Sequence, residues 1–164
     1  MASADSHRFE DTFENVYTAA SLQVPWWFNA GNHDWKLIAN TTAEIARNGK
    51  GRWNFPSFYY TKTDTFTDAS GAATTVQLVM VDTVILCGLT VPHANGQPIP
   101  PTEDTPIPPA TAQWAWVKQT LAASTADVLV VSGHYPVFSV AEHGSTACLV
   151  QQLQPLLVKY KAAV

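Results

Sequence analysis

Apolar positions along the chain fall into two rhythms. In residues 8–21, RFEDTFENVYTAAS, Phe9, Phe13, Val16 and Tyr17 recur at helical spacing and acidic residues come early, so the segment predicts a helix. VPWWFNA, residues 24–30, is a short continuous apolar run that predicts a buried strand. Pro25 stands near its start, where a missing N–H donor is tolerated. TTAEIARN, residues 41–48, predicts a short helix capped by Thr41 or Thr42. SFYYTKT and TTVQLVMVDT read as strands joined through DTFTDASGAA, a hairpin-type connection. TAQWAWVKQTLAAS resumes helical spacing through Trp114, Val117 and Leu121. ADVLVVSG predicts a second buried strand, and STACLVQQLQPLLVKYKAAV a closing helix interrupted or restarted near Pro155. Strands alternating with helices predict an α/β layered domain.

Between these elements, residues 89–109 hold seven of the eleven prolines and predict a long surface excursion. The 164 residues suit one domain with a real core. Charged residues make up only 13%, about half the usual share, which argues against a disordered tail. A net charge of −4 without any basic run argues against nucleic acid as a partner. No apolar stretch approaches the roughly 20 residues of a membrane helix, and MASADSHRFEDTF shows no secretory signal pattern.

The chemistry concentrates at two strand ends. GNHDW, residues 31–35, gathers an amide, an imidazole and a carboxylate behind the strand 24–30. GHYP, residues 133–136, repeats the strand–glycine–histidine arrangement behind the strand 127–132. Ligands in layered α/β folds collect beyond the carboxyl ends of strands. Glycine lets the chain turn sharply there and leaves the next side chain at the rim of the sheet. Either histidine alone reads as a satisfied structural residue; two matched loops point instead to a site. An amide oxygen and a neutral imidazole suit a borderline divalent cation, so Asn32 and His134 are candidate ligands. Asp34 and Asp82 are candidate additional oxygens, although a strand-ending carboxylate such as Asp82 serves equally well as a cap. His143, in AEHGST, pairs with His33 as a candidate proton donor and anion-holding group. His7 and His93 lie on polar or proline-rich stretches and read as solvated. A serine hydrolase built on Ser132 or Ser139 with His134 lacks any nucleophile-elbow pattern.

Cys87 and Cys148 are either two thiols or one disulfide closing a loop of about 60 residues, and two cysteines alone leave both readings open. Asn40 opens an Asn-Thr-Thr tripeptide, an N-glycosylation acceptor pattern.

The blocks RFEDTFENVY, VPWWFNAGNHD, RWNFPSFYY, VDTVILCG and VVSGHYPVFSVAEHGSTACLVQQLQPLL resemble, in order, those of the purple, tartrate-resistant acid phosphatases of the calcineurin-like metallophosphoesterase superfamily. The resemblance spans nearly the whole chain, and GHYPVFSVAEHG is its most specific part. It implies a layered β-sandwich flanked by helices, with 1–164 as a single partial catalytic domain. It implies hydrolysis of phosphate monoesters by a hydroxide on a dinuclear centre of iron with a second iron, zinc or manganese. It assigns Asn32 and His134 to the divalent ion, His33 and His143 to phosphate positioning and leaving-group protonation, Cys87 and Cys148 to a disulfide, and Asn40 to a glycan. It also implies a secreted, lysosomal or vacuolar location.

The family's opening GDWG and GDNFY blocks and its closing GHDH block, which supply the other metal ligands, have no counterpart in this sequence. The expectation is therefore a fold incomplete at both ends, carrying part of the divalent-metal site and inactive by itself. The alternative is a non-catalytic binding or regulatory protein that reuses the core of the fold.

Overall fold

The computed structural model describes residues 3–36, 38–88, 107–142 and 144–163. Its first elements are shorter than the hydrophobic spacing suggests. A π-helical turn spans Glu10–Glu14 and a 3-10 turn Ala20–Leu22, so the helix expected over 8–21 stops early. Arg52 supplies the reason. Its guanidinium pairs with the Glu14 carboxylate and donates to the carbonyls of Glu14, Tyr17 and Leu22. A continuing helix would need the first two of those carbonyls for its own ladder. Phe13 is buried beneath the same guanidinium, edge-on to Trp26, Phe28 and Trp53.

The strand expected over 24–30 pairs for only two residues. β1 (Trp26–Trp27) runs parallel to β2 (Trp53–Asn54), and the Phe28 N–H extends the pairing to the Asn54 carbonyl at 3.0 Å. Helix α1 (Ile38–Ala46) begins ahead of the expected cap. Thr41 is fully buried inside it, and burial there overrides the capping preference of threonine.

Strands β3 (Tyr60–Thr67) and β4 (Ala73–Met80) form an antiparallel hairpin from Tyr60↔Met80 to Thr67↔Ala73. Asp68 closes its turn by accepting from the amides of Ser70 and Ala72. Helix α2 (Thr83–Cys87) follows β4, where the strand expected from the sequence ran on to Thr83. Its residues Thr83, Val84 and Ile85 are β-branched and poor helix formers. The Asp82 cap and the buried setting select the helix instead. Helix α3 (Ala110–Ala123) matches its expected span and leads to β5 (Val128–Ser132), which lies parallel to β4. The closing helix is two: α4 (Ala147–Gln152) and α5 (Gln154–Tyr160), broken at Leu153 ahead of Pro155. The chain then returns beside β5, where Ala163 exchanges backbone hydrogen bonds with Leu129 and Val131.

The β3–β4–β5 sheet separates two buried clusters. Val79, Val81, Leu129 and Val131 face α3, α4 and α5, while Tyr60 and Met80 face the aromatic cluster built on Phe9, Phe13, Trp35 and Trp53. The strand period of two assigns alternate residues of β4 to opposite faces. The result is the layered α/β arrangement expected from the sequence, with sheet and helices stacked. A disulfide joins Cys87, at the end of α2, to Cys148 in α4. Within the proline-rich segment, Ile107 is buried in the aromatic cluster, and residues 89–106 with His93 lie outside the described residues.

Candidate metal centre

Three strand ends converge: the segment after β1, the segment after β4 and the segment after β5. The first is a tight turn. Asp34 accepts from the Gly31 amide at 2.8 Å, and the amides of Asp34 and Trp35 donate back to the Gly31 carbonyl. This closed turn holds Asn32 buried at 8% exposure and leaves His33 exposed. Tyr60 steadies the approach by donating its hydroxyl to the Phe28 carbonyl at 2.6 Å.

The third segment brings His134. Its Nε2 lies 2.9 Å from Asn32 Oδ1, although 102 residues separate the two in sequence. The ring rests on Gly31, where a Cβ would stand 2.9 Å from Cε1 and Nδ1. Glycine at 31 therefore makes room for the histidine from the other loop. The amide and imidazole predicted as partners meet. His134 is exposed, so its free edge opens to solvent. His143 lies outside the described residues, and so does its expected pairing with His33.

The carboxylates serve the scaffold. Asp34 is occupied by its own turn. Asp82 is fully buried: Oδ1 accepts from the Val84 and Ile85 amides at the start of α2, and Oδ2 accepts from Trp35 Nε1 at 2.8 Å. Of the two roles open to Asp82 in the sequence, oxygen ligand or cap, the structure shows the cap. Burial pushes its carboxyl up to about 7, against the lowering effect of those bonds. Glu44, buried on α1, is also pushed up to about 7, first by desolvation and then by the negative charge of Asp34.

Trp35, Thr83 and Gln113 are structural parts of the site that sequence reasoning does not single out. Gln113 is fully buried on α3 and grips the Asp82 peptide from both sides, accepting from its N–H at 2.8 Å and donating to its carbonyl at 2.9 Å. Its one available signal was a lone amide on an otherwise apolar helix face. Thr83 accepts from the Tyr135 amide at 3.0 Å.

A metal fits this pair in donor chemistry. An amide oxygen and an imidazole nitrogen are both ligand types for borderline divalent ions. Their separation of 2.9 Å suits adjacent positions on one ion with bonds of about 2.0–2.2 Å. Among the described residues, no three His, Cys, Asp or Glu side chains gather to complete such a set.

The calcineurin-like phosphoesterase family profile matches residues 3–164. This chain belongs to the calcineurin-like phosphoesterase family. Tartrate-resistant acid phosphatase type 5 from Oryctolagus cuniculus is 45% identical over 162 residues, covering 98% of this chain and 47% of that protein. The Homo sapiens protein of the same name is 43% identical over 155 residues, covering 93% and 45%. Purple acid phosphatase 4 from Arabidopsis thaliana is 28% identical over 166 residues, covering 96% of this chain and 44% of that protein. The calcineurin-like phosphoesterase chain described here thus spans about half the length of the relatives it matches. Among solved structures, "GAP50 the anchor in the inner membrane complex of Plasmodium" superposes with a TM-score of 0.74 at 20% identity, covering 99% of this chain and 49% of that one. That likeness is one of fold.

Proposed function

We propose that this chain supplies part of the active site of a metal-dependent acid phosphatase acting on phosphate monoesters, with Asn32 and His134 as ligands of one divalent ion. The observation that carries this reading is the 2.9 Å approach of two ligand-type atoms from loops 102 residues apart. The similarity to acid phosphatases supports the substrate class. When bound, a dinuclear iron-containing centre, with iron, zinc or manganese as the second metal, supplies Lewis acidity toward phosphoryl oxygens and a water of lowered pKa.

The chain's own residues do the rest. The Gly31 turn holds Asn32 in place, and the ring contact on Gly31 fixes the His134 nitrogen beside its oxygen. His33, exposed next to Asn32, offers an imidazole N–H to the phosphate or a proton to the leaving oxygen. His143 is proposed for the same task from the opposite loop. Two donors are too few to hold an ion tightly, so the isolated chain is proposed to be inactive.

The disulfide supports an oxidising location, secreted, lysosomal or vacuolar. Among the described residues no helix is long and apolar enough to cross a membrane. Asn40, half-buried in the first turns of α1, is the proposed glycan attachment point.

An aryl phosphate assay with added iron and zinc tests the proposal, alongside a Zn²⁺ titration followed through the His134 ring signals. The expected result is no turnover by the isolated chain and a Zn²⁺ response lost in Asn32→Ala. Turnover that survives His134→Ala overturns the ligand assignment; turnover abolished by it overturns the expected inactivity. The alternative, a non-catalytic binding protein on this fold, predicts a His134 that ignores Zn²⁺ altogether.

A further inference from the structure

Asp82 and Thr83 stand between the two loops that bear the ligand pair, and each makes more contacts than α2 requires. Capping a short helix occupies one carboxylate oxygen, and Asp82 Oδ1 does that alone. The other oxygen, Oδ2, is spent on Trp35 Nε1. Trp35 is 3% exposed, stacks on Phe58, and donates its own amide to the Gly31 carbonyl, which closes the turn around Asn32. Asp82 therefore reaches Asn32 through Trp35 and the Gly31 carbonyl.

Thr83 grips the other loop on both sides of His134. Its Oγ1 accepts from the Tyr135 amide at 3.0 Å. Its Cγ2 lies 2.7 Å from where a Cβ on residue 133 would stand, so the Gly133 backbone is seated on the threonine methyl. Thr83 is 1% exposed and has no freedom to follow a shifting loop. The base of this brace is fixed in turn: Gln113 clamps the Asp82 peptide, and the disulfide ties the far end of α2 to α4.

We propose that the dipeptide Asp82–Thr83 is the positioning element of the site: Asp82 sets Asn32 through Trp35, and Thr83 sets His134 through its two chain neighbours. One rigid step of backbone thereby defines the spacing of two side chains from distant loops. This deepens the reading of Asn32 and His134 as ligands and rests on it.

The test uses the described chain, metal-free and then titrated with Zn²⁺, observed by NMR at the Asn32 side-chain amide and the His134 ring. Asp82→Asn keeps a capping oxygen and turns an amide N–H₂ against the Trp35 donor. Trp35→Phe removes that donor and keeps an aromatic ring. Each is expected to move the Asn32 signals without metal and to weaken the Zn²⁺ response about 10–100-fold. The double variant is expected to be no worse than either single one, because both break the same bond. Thr83→Val keeps the shape and loses the acceptor, so it is expected to move the His134 signals; Thr83→Ser keeps the acceptor and loses only the methyl under Gly133, so it is expected to move them less. A general loss of packing would lower Tm in all five variants and would not make valine move the His134 signals more than serine.

Unchanged metal-free signals in Asp82→Asn and Thr83→Val overturn the proposal. If Zn²⁺ moves no His134 signal even in the unaltered chain, the ligand reading fails, and the metal-free signals still decide whether Asp82–Thr83 positions the pair.

Discussion

His134 lies against Gly31, with ring atoms 2.9 Å from the place a Cβ would occupy, and this contact sets its Nε2 beside Asn32 Oδ1. The site thus rests on a missing side chain. Gly31→Ala introduces a methyl that the imidazole has to vacate. The ring is an exposed side chain and moves more cheaply than backbone, so Tm is expected to change by only a few degrees, within about 1–2 kcal/mol. The His134 ring nitrogen signals are expected to shift as the Asn32 contact is lost, and NMR with thermal unfolding checks both. A large fall in Tm with unmoved ring signals would contradict this account.

Gln113 is the most exacting polar residue in the core. Gln113→Leu keeps the volume roughly constant and orphans the buried N–H of Asp82, while the Asp82 carbonyl keeps its bond from the Leu86 amide. An unsatisfied buried N–H costs about 1–3 kcal/mol, and a loss of that size is expected in urea unfolding.

The bridge between Cys87 and Cys148 spans a sequence separation of 61. On the loop-entropy view a closure of that size stabilises by about 4 kcal/mol. The Cys87→Ser, Cys148→Ser double variant is expected to unfold at a correspondingly lower urea midpoint. Reduction of the unaltered chain should reproduce the shift, and a midpoint indifferent to reductant would refute it.

Glu44 makes stability depend on pH in the direction opposite to a salt-bridged carboxylate. Its carboxyl is held at about 7 in the fold, against an ordinary value of 4.5, by desolvation and by Asp34. The folded state therefore binds the proton more tightly than the unfolded chain. Its contribution is fully present below about pH 4.5 and is lost as pH rises through about 7. Glu44→Gln mimics the protonated form and is expected to flatten this slope, adding about 3 kcal/mol at pH 8 and little at pH 4. Asp82, raised in the same way to about 7, supplies the residual slope. Urea unfolding at the two pH values checks the difference.

Local pattern made much of this chain legible. The α3 span, the β3–β4 hairpin and the break ahead of Pro155 follow from periodicity and turn chemistry, which act over a few residues. The end of the early helix and the α2 segment do not follow from periodicity, because side-chain bonds and burial decide them. Arg52 takes the carbonyls that residues 14–22 would need for a helix, and Asp82 with its buried surroundings imposes a helix on three β-branched residues.

The same division holds at the site. Two strand ends carrying Gly-Asn-His-Asp and Gly-His-Tyr-Pro announce an amide and an imidazole of ligand type, and that much is written in the residues themselves. Their approach to 2.9 Å, the glycine that permits it and the threonine and aspartate that brace it exist only once β1, β4 and β5 have packed. Residue chemistry is a local property of the chain; distance between loops is a property of the packed layers, and no short window of sequence contains it.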